Sequence, residues 1–423
     1  MRPTAASLEA AATASALACR LAHPADAVLS EFFRAHRELG SHDRALVAET
    51  VFSVLRHKRL LEALVPEPTP RRLALASLVK FGGISIAALN SLLGRDDHEW
   101  LVALKRSAPD TLPAAVRLSL PDWIWERLAG ERGEQEAAAI ARSLLNTAPL
   151  DLRVNTLRAA RDEVLRALTA DGIAAEPTPY SPVGLRVTGR PAINRHPLFA
   201  SGAVEVQDES SQLSCTLLAP KRHEMVVDFC AGAGGKSLML GALMRSQGRI
   251  YAFDVSAARL ARLKPRLKRS GLSNLYAHPI ANENDLRVKR LAGKIDRVLV
   301  DAPCSGLGTL RRNPDLKWRQ SPQSVEELKA KQAAILRAAA TLLKPGGRLV
   351  YATCSLLAEE NEDIVAAFLA EHGNFQKLHC GGALKQQGIA LDTGEFLKLF
   401  PHLHGTDGFF AAAMERKIPP TSL

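Results

Sequence analysis

The sequence predicts an α/β chain, in which a doubly wound parallel sheet follows an all-α module and a small α+β connector. Three observations carry this. From Met225 onward, short apolar runs alternate with amphipathic helical runs, the pattern of a parallel sheet covered by helices on both faces. The first of those runs ends in an acid and a glycine-rich turn. Before about Leu145 the apolar residues recur at helical spacing only. With 423 residues the chain exceeds one ordinary core, so two or three domains are expected.

The N-terminal run "MRPTAASLEAAATASALACRLAHPADAVL" reads as a first helix, because Glu9 interrupts it and no cleavage pattern follows. "LGSHDRALVAETVFSVLRHKRLLEALV" is the clearest helix. Ser41 is placed to cap it, and Val47, Val51, Val54 and Leu55 share one face. Its basic residues suit either RNA or a solvated face. "PEPTPRR" breaks it, and more helix follows. From about Thr147 the pattern changes: "PLDLRVNTL", "GLRVTG" and "GAVEVQD" read as strands, and "RAARDEVLRALTADG" as a helix closed by Gly172. "DESSQLSCTLLA" opens a helix with Asp208 or Ser210 as cap. The main sheet is then expected from "MVVDFC", "RIYAFD", "LYAHPI", "DRVLVDAP" and "GRLVYATCS", with "DGFFAAAMER" as a last strand. Before the fifth run lies a helix with a Ser324/Glu327 capping box, ended by Pro345 and a glycine pair. The stretch from Cys380 to Thr406 has no assigned role beyond covering the sheet.

A net charge of +11 and a pI of about 9.5 favour a polyanionic partner, most simply nucleic acid. No stretch is apolar enough to span a bilayer. The six cysteines, Cys19, Cys215, Cys230, Cys304, Cys354 and Cys380, are scattered and form no C-x-x-C pair. Neither a metal site nor a disulfide framework is suggested, and a reducing cytoplasm fits.

"VVDFCAGAGGKS" follows the first main strand. Gly232, Gly234 and Gly235 let backbone approach a ligand, with amides at a helix N-terminus. A phosphate loop would need glycine where Cys230 stands. Asp254, a little over twenty residues past Gly232, ends the second strand and can accept ribose hydroxyls. Asp228 suits the positive end of a cofactor. Acids on both sides of the turn fit S-adenosylmethionine better than a pyrophosphate. A strand–helix turn made for packing is the plainer alternative.

"DAPCS" and "YATCS" end the fourth and fifth strands, so Cys304 and Cys354 are expected to face one crevice. Buried structural cysteines are the alternative. A thiol beside a methyl donor suits carbon 5 of a pyrimidine: thiolate addition to carbon 6 makes carbon 5 nucleophilic, and elimination follows methyl transfer. Lys236, Arg311, Arg312 and Lys317 are candidates to favour the thiolate or to hold target phosphates. Asp301 is placed to hydrogen-bond the base edge.

These strings resemble the RNA 5-methylcytosine methyltransferases of the RsmB/Nol1/Nop2 (Sun) family. "FCAGAGGKS" is similar to its cofactor loop and "YAFDVS" to its ribose-binding strand. "DAPCSGLGTLRRNPDLKW" and "YATCSLLAEENE" are similar to its two cysteine motifs, and "RVNTL" and "VQDESSQL" to signatures ahead of them. "LGSHDRALVAETVFSVLRH" resembles the NusB-like module of the bacterial 16S rRNA branch. The resemblance implies a NusB-like RNA-binding domain over 1–145, a connector over 146–215 and a Rossmann-like S-adenosylmethionine-dependent methyltransferase domain over 216–423. It makes Cys354 the nucleophile and Cys304 the residue that resolves the adduct. It places the cofactor on Cys230, Ala231, Gly232, Ala233, Gly234, Gly235, Lys236, Asp254 and Asp301. Asn282 stands where many members carry an acid near the adenine; Glu283 and Asp285 are possible substitutes. The expectation is a cytoplasmic monomer acting on small-subunit rRNA without metal or membrane. The alternatives are a non-catalytic NusB-like assembly factor, a tRNA-directed enzyme and a phosphate-loop ATPase.

Overall fold

The computed structural model describes residues 3–189 and 191–420. They form two compact units: residues up to 147 together with Thr309–Pro322, and Ala148–Gly308 together with Gln323 onward. The first unit is helical. The alanine-rich start is two helices, Ala5–Ala18 and Ala25–Ala35, separated by a turn in which Leu21 takes a left-handed φ of +59° and Pro24 caps the second; its opening two residues lie outside the described range. Thr4 and Ser7 form a capping box on the first.

In the long helix Ser41–Leu64, Gly40 is the cap and Ser41 is already helical, so Ser41 is not the cap the sequence suggested. Val47, Val51, Val54 and Leu55 are fully buried, as their spacing requires. The helix kinks at His57, whose ring stacks on Phe81 at 3.6 Å. Segment Thr309–Pro322 packs on this helix: the Trp318 indole donates to the Leu55 carbonyl at 2.7 Å, and the Asp315 carboxylate accepts from the Ala25 amide at 3.3 Å.

The second unit holds two sheets. The small one is antiparallel, built from β1 (Leu150–Val154), β2 (Ala175–Pro177), β3 (Gly184–Val187) and β4 (Val204–Val206) in the order β2-β3-β1-β4. Helix Arg161–Ala170 covers it, and Gly172, at φ +73°, ends that helix. Asp208 caps helix Glu209–Leu218.

The large sheet contains β5 (Met225–Asp228), β6 (Arg249–Asp254), β7 (Leu275–Pro279), β8 (Ile295–Asp301), β9 (Leu343–Thr353), β10 (Phe375–Lys377), β11 (Leu397–Leu399) and β12 (Phe409–Arg416). Its order is β10-β12-β9-β8-β5-β6-β7, with β11 on β12. β5 to β9 run parallel, and β12 closes on β9 antiparallel. The chain starts at β5 in the middle, builds outward to β7, then restarts with β8 on the other side. That reversal is the switch point at which such sheets open a crevice at their carboxyl ends.

Two expected boundaries move. Helix Pro322–Ala340 begins before Ser324, since proline suits a first turn, so the Ser324/Glu327 capping box does not start it. It also ends before Pro345 and the glycines. Residues 344–347 instead form a bulge between the pairs Ile295/Leu343 and Arg297/Arg348.

Candidate active site

Four neighbouring strand ends supply the site. Asp228, Asp254 and Asp301 are the last residues of β5, β6 and β8, and Cys354 directly follows β9. The loop after β5 is pinned on both sides: the Phe229 amide donates to the Leu299 carbonyl at 2.9 Å, and the Ala231 amide to the Phe253 carbonyl at 2.8 Å. Gly232 and Gly234 take left-handed φ of +56° and +79°. A side chain on Gly234 would strike Leu263 at 2.2 Å, whereas one on Gly232 would meet nothing within 4 Å. The loop is thus packed on one side and open on the other, ahead of helix Gly235–Leu243.

Asp254 holds this loop directly. One oxygen accepts from the Gly232 amide at 2.8 Å; the other accepts from the Ser256 amide at 2.7 Å and from Arg259 at 3.0 Å. Asp228 is fully buried, and the Ser237 hydroxyl donates to its Oδ2 at 2.6 Å. Its Oδ1 has no partner among the described residues. Burial, reinforced by the nearby Asp301 charge, pushes this carboxyl up to about 7, against the Ser237 hydrogen bond. Burial likewise pushes the Cys230 thiol well up.

Lys236 pairs with Asp301 at 2.6 Å. Burial disfavours its ammonium, but the Asp301 carboxylate more than offsets this and raises it above the usual lysine range. Lys236 therefore orders Asp301 and is not a loose cation for a phosphate. Asn282 lies past β7 on an exposed turn, its side-chain oxygen accepting from the Asn284 amide at 2.8 Å. Asp285 closes the same turn on the Ala281 and Arg287 amides.

The sulfurs of Cys304 and Cys354 are 3.4 Å apart, and both residues are half-buried. The hydrogen bond with Cys354, then burial, then the charges of Cys354 and Glu360 hold the Cys304 thiol well above its ordinary value. The turn after Cys304 is clamped by backbone: the Gly308 amide donates to the Cys354 carbonyl at 2.8 Å, and the Gly408 amide to the Gly308 carbonyl at 2.9 Å. A Cβ on Gly308 would fall 2.0 Å from the Gly408 carbonyl oxygen.

Lys317 does not serve as expected. It is buried in the helical unit with its ammonium donating to the Arg56 carbonyl at 2.7 Å, and burial together with the Arg56 charge pushes it well below the usual lysine range. Arg311 is buried there too, its carbonyl accepting from Arg56 at 3.0 Å, while Arg312 is half-buried.

Some supporting residues carried no role in the sequence reading. Arg153 bonds the Gly235 carbonyl at 2.6 Å and Gln207 at 2.7 Å, and burial lowers it to about 10. Arg266 bonds the Ala233 carbonyl at 2.7 Å while paired with Glu205. Asn155 ties Gly202 to Ser270. Arg153, Asn155 and Gln207 stand inside "RVNTL" and "VQDESSQL", so those strings were the available signal.

Residues 215–415 match the family model described as 16S rRNA methyltransferase RsmB/F, and residues 120–194 match the RsmF/B-like ferredoxin-like domain. A probable ribosomal RNA small subunit methyltransferase B from Synechocystis is 33% identical over 415 residues, spanning 89% of this chain and 92% of that protein. The chain belongs to the RsmB/F family. A Bacillus subtilis protein of the same description is 30% identical, over 90% of this chain and 92% of its own. Among solved structures, PH0851 superposes with a TM-score of 0.79 at 26% identity, over 98% of this chain and all of that one. A methyltransferase homologue from Pyrococcus horikoshii gives 0.62 at 29%, over 73% of this chain and all of its own. The RsmB/F assignment agrees with the Rossmann-like sheet behind an all-α region. Among the described residues no helix is long and apolar enough to cross a membrane.

Proposed function

We propose that this RsmB/F member methylates carbon 5 of a cytidine in 16S rRNA, with Cys354 as nucleophile and Cys304 as the thiol that resolves the adduct. The observation that carries the reading is the 3.4 Å sulfur pair at the carboxyl ends of β8 and β9. Two structural cysteines packed for bulk have no need to be half-exposed side by side at the carboxyl ends of adjacent parallel strands.

The donor in this reading is S-adenosylmethionine. The loop's features suit a cationic nucleoside: Asp228 Oδ1 is buried without a partner among the described residues, and Gly232 leaves room on its open side. Residues 230–236 and Asp254 would hold it, with Asn282 near its base. When bound it supplies an electrophilic methyl group on a sulfonium. The chain's own residues do the rest. The Cys354 sulfur, losing its proton, bonds carbon 6 of the base and transfers electron density to carbon 5. Asp301, ordered by Lys236, accepts from the base edge. Once carbon 5 carries the methyl, its proton passes to water and the pair of that bond forms the carbon 5–carbon 6 double bond; the carbon 6–sulfur bond breaks and its pair returns to sulfur, with Cys304 assisting release. A base in a folded RNA must leave its stack to reach the pair.

The helical residues 1–145, read as NusB-like, and the connector over 146–215 would hold the RNA in a cytoplasmic, monomeric enzyme. Bisulfite sequencing of 16S rRNA from cells with and without the chain tests the proposal. One cytidine should lose protection when the chain is absent; an unchanged map rejects it.

A further inference from the structure

Each thiol is followed by a serine, and both serines bond a residue that the proposed chemistry does not use. Glu360 is fully buried. Its Oε1 accepts from the Ser305 amide at 2.8 Å and from Gln332 at 3.0 Å. Its Oε2 accepts from the Ser305 hydroxyl at 2.5 Å and from the Ser355 hydroxyl. The two hydroxyl oxygens are 3.1 Å apart.

The surroundings hold the glutamate in turn. The Tyr351 hydroxyl donates to the Glu360 carbonyl at 2.6 Å, and Gln332 also reaches the Pro303 carbonyl at 2.9 Å. Neighbouring Asn361 accepts from the Thr353 hydroxyl and donates to the Ser355 carbonyl at 3.2 Å. A carboxylate is the side chain that can take four donors at one point, having two oxygens and no hydrogen to place.

We propose that Glu360 is a positioning residue for methyl transfer: by clamping Ser305 and Ser355 on one carboxylate, it holds the Cys304 and Cys354 sulfurs at their 3.4 Å separation. Glu360 touches neither sulfur in this role; it acts through the serine after each. The inference rests on the reading that both thiols serve one base.

The test uses the full chain and phenylarsine oxide, whose arsenic bonds two neighbouring sulfurs while its oxygen leaves as water with the two thiol protons. Mass spectrometry of the intact chain and its peptides reports capture across Cys304 and Cys354. The wild type should take up one arsenical there. Glu360→Ala should lose capture, and kcat for methylation should fall about ten- to a hundredfold with the donor KM unchanged, since buried donors lose their common acceptor. Glu360→Gln keeps one oxygen for Ser305 and Gln332 and an amide that can donate to the hydroxyls, so it should restore most of both. Should Glu360→Ala fail to fold, the Ser305→Ala/Ser355→Ala double variant cuts the same bridge and should also lose capture. Full capture by a folded Glu360→Ala, or a fall confined to donor KM, overturns the proposal. Capture needs neither RNA nor donor, so the roles of the thiols are tested separately by methylation in Cys354→Ala.

Discussion

At the scale of single residues, the surroundings of Cys304 bear on what it can do. Cys304 is held as a thiol by Cys354, by burial and by Glu360, which suits a group that acts after the adduct has formed. Cys354→Ala should abolish methylation while leaving donor and RNA binding intact, measured by filter binding and label transfer. Cys304→Ala should instead accumulate a protein–RNA species that survives a denaturing gel. Asp228 makes a second prediction. Its folded value of about 7 lies above its ordinary 3.8, so the protonated acid is favoured by the fold. That contribution is complete below the ordinary value and is lost as pH rises to about 7. A cationic donor needs the ionised form. Donor affinity should therefore rise roughly tenfold per pH unit on approaching neutrality and level off above it. Titration calorimetry between pH 6 and 8 reads this, and Asp228→Asn should flatten the curve. The acids and thiols were legible because each ends a short apolar run. Glu360 was not: inside "AEENE" it looks like one charge of a solvated turn, and only the fold brings Gln332 and both serines to it.

At the scale of elements, the glycine loop works as a rigid cradle because its rear is occupied. Arg153 and Arg266 hold its carbonyls, and Leu263 fills the space behind Gly234. Gly234→Ala combines a left-handed φ with a 2.2 Å clash and should cost about 1–3 kcal/mol. A lowered melting temperature and weakened donor binding would show it; unchanged values would mean the loop has slack. Strands β5, β6, β8 and β9 were readable from apolar runs that each end at an acid or a cysteine motif, whereas β7, with only Leu275 buried, was the weakest of the five. Strands β2, β10 and β11 were not: each has three residues, and β2 and β10 each carry a single apolar side chain besides proline, too little to mark a strand. The proline and glycines after helix Pro322–Ala340 look like a helix stop, yet register with β8 draws them into a bulge.

At the scale of the whole molecule, the stretch from Thr309 to Pro322 belongs to the helical unit although it lies far along the chain. Its cations read from sequence as candidates to favour the thiolate or to hold phosphates, and nothing local signals that Lys317 is consumed inside a helical core. The fragment 1–147 alone lacks the Trp318 and Asp315 contacts. A synthetic 309–322 peptide should raise its melting temperature by several degrees for each roughly 1 kcal/mol of binding; no shift would mean the docking adds little. RNA affinity, resting on a chain of net charge +11, should fall steeply with salt. Above these stands the claim that two sulfurs work in turn on a single cytidine. The most direct measurement is peptide mapping of the RNA adduct formed by Cys304→Ala with donor present. The account predicts one nucleotide, already methylated, attached to the peptide bearing Cys354. An adduct on any other residue, or none at all while methylation continues, would contradict it.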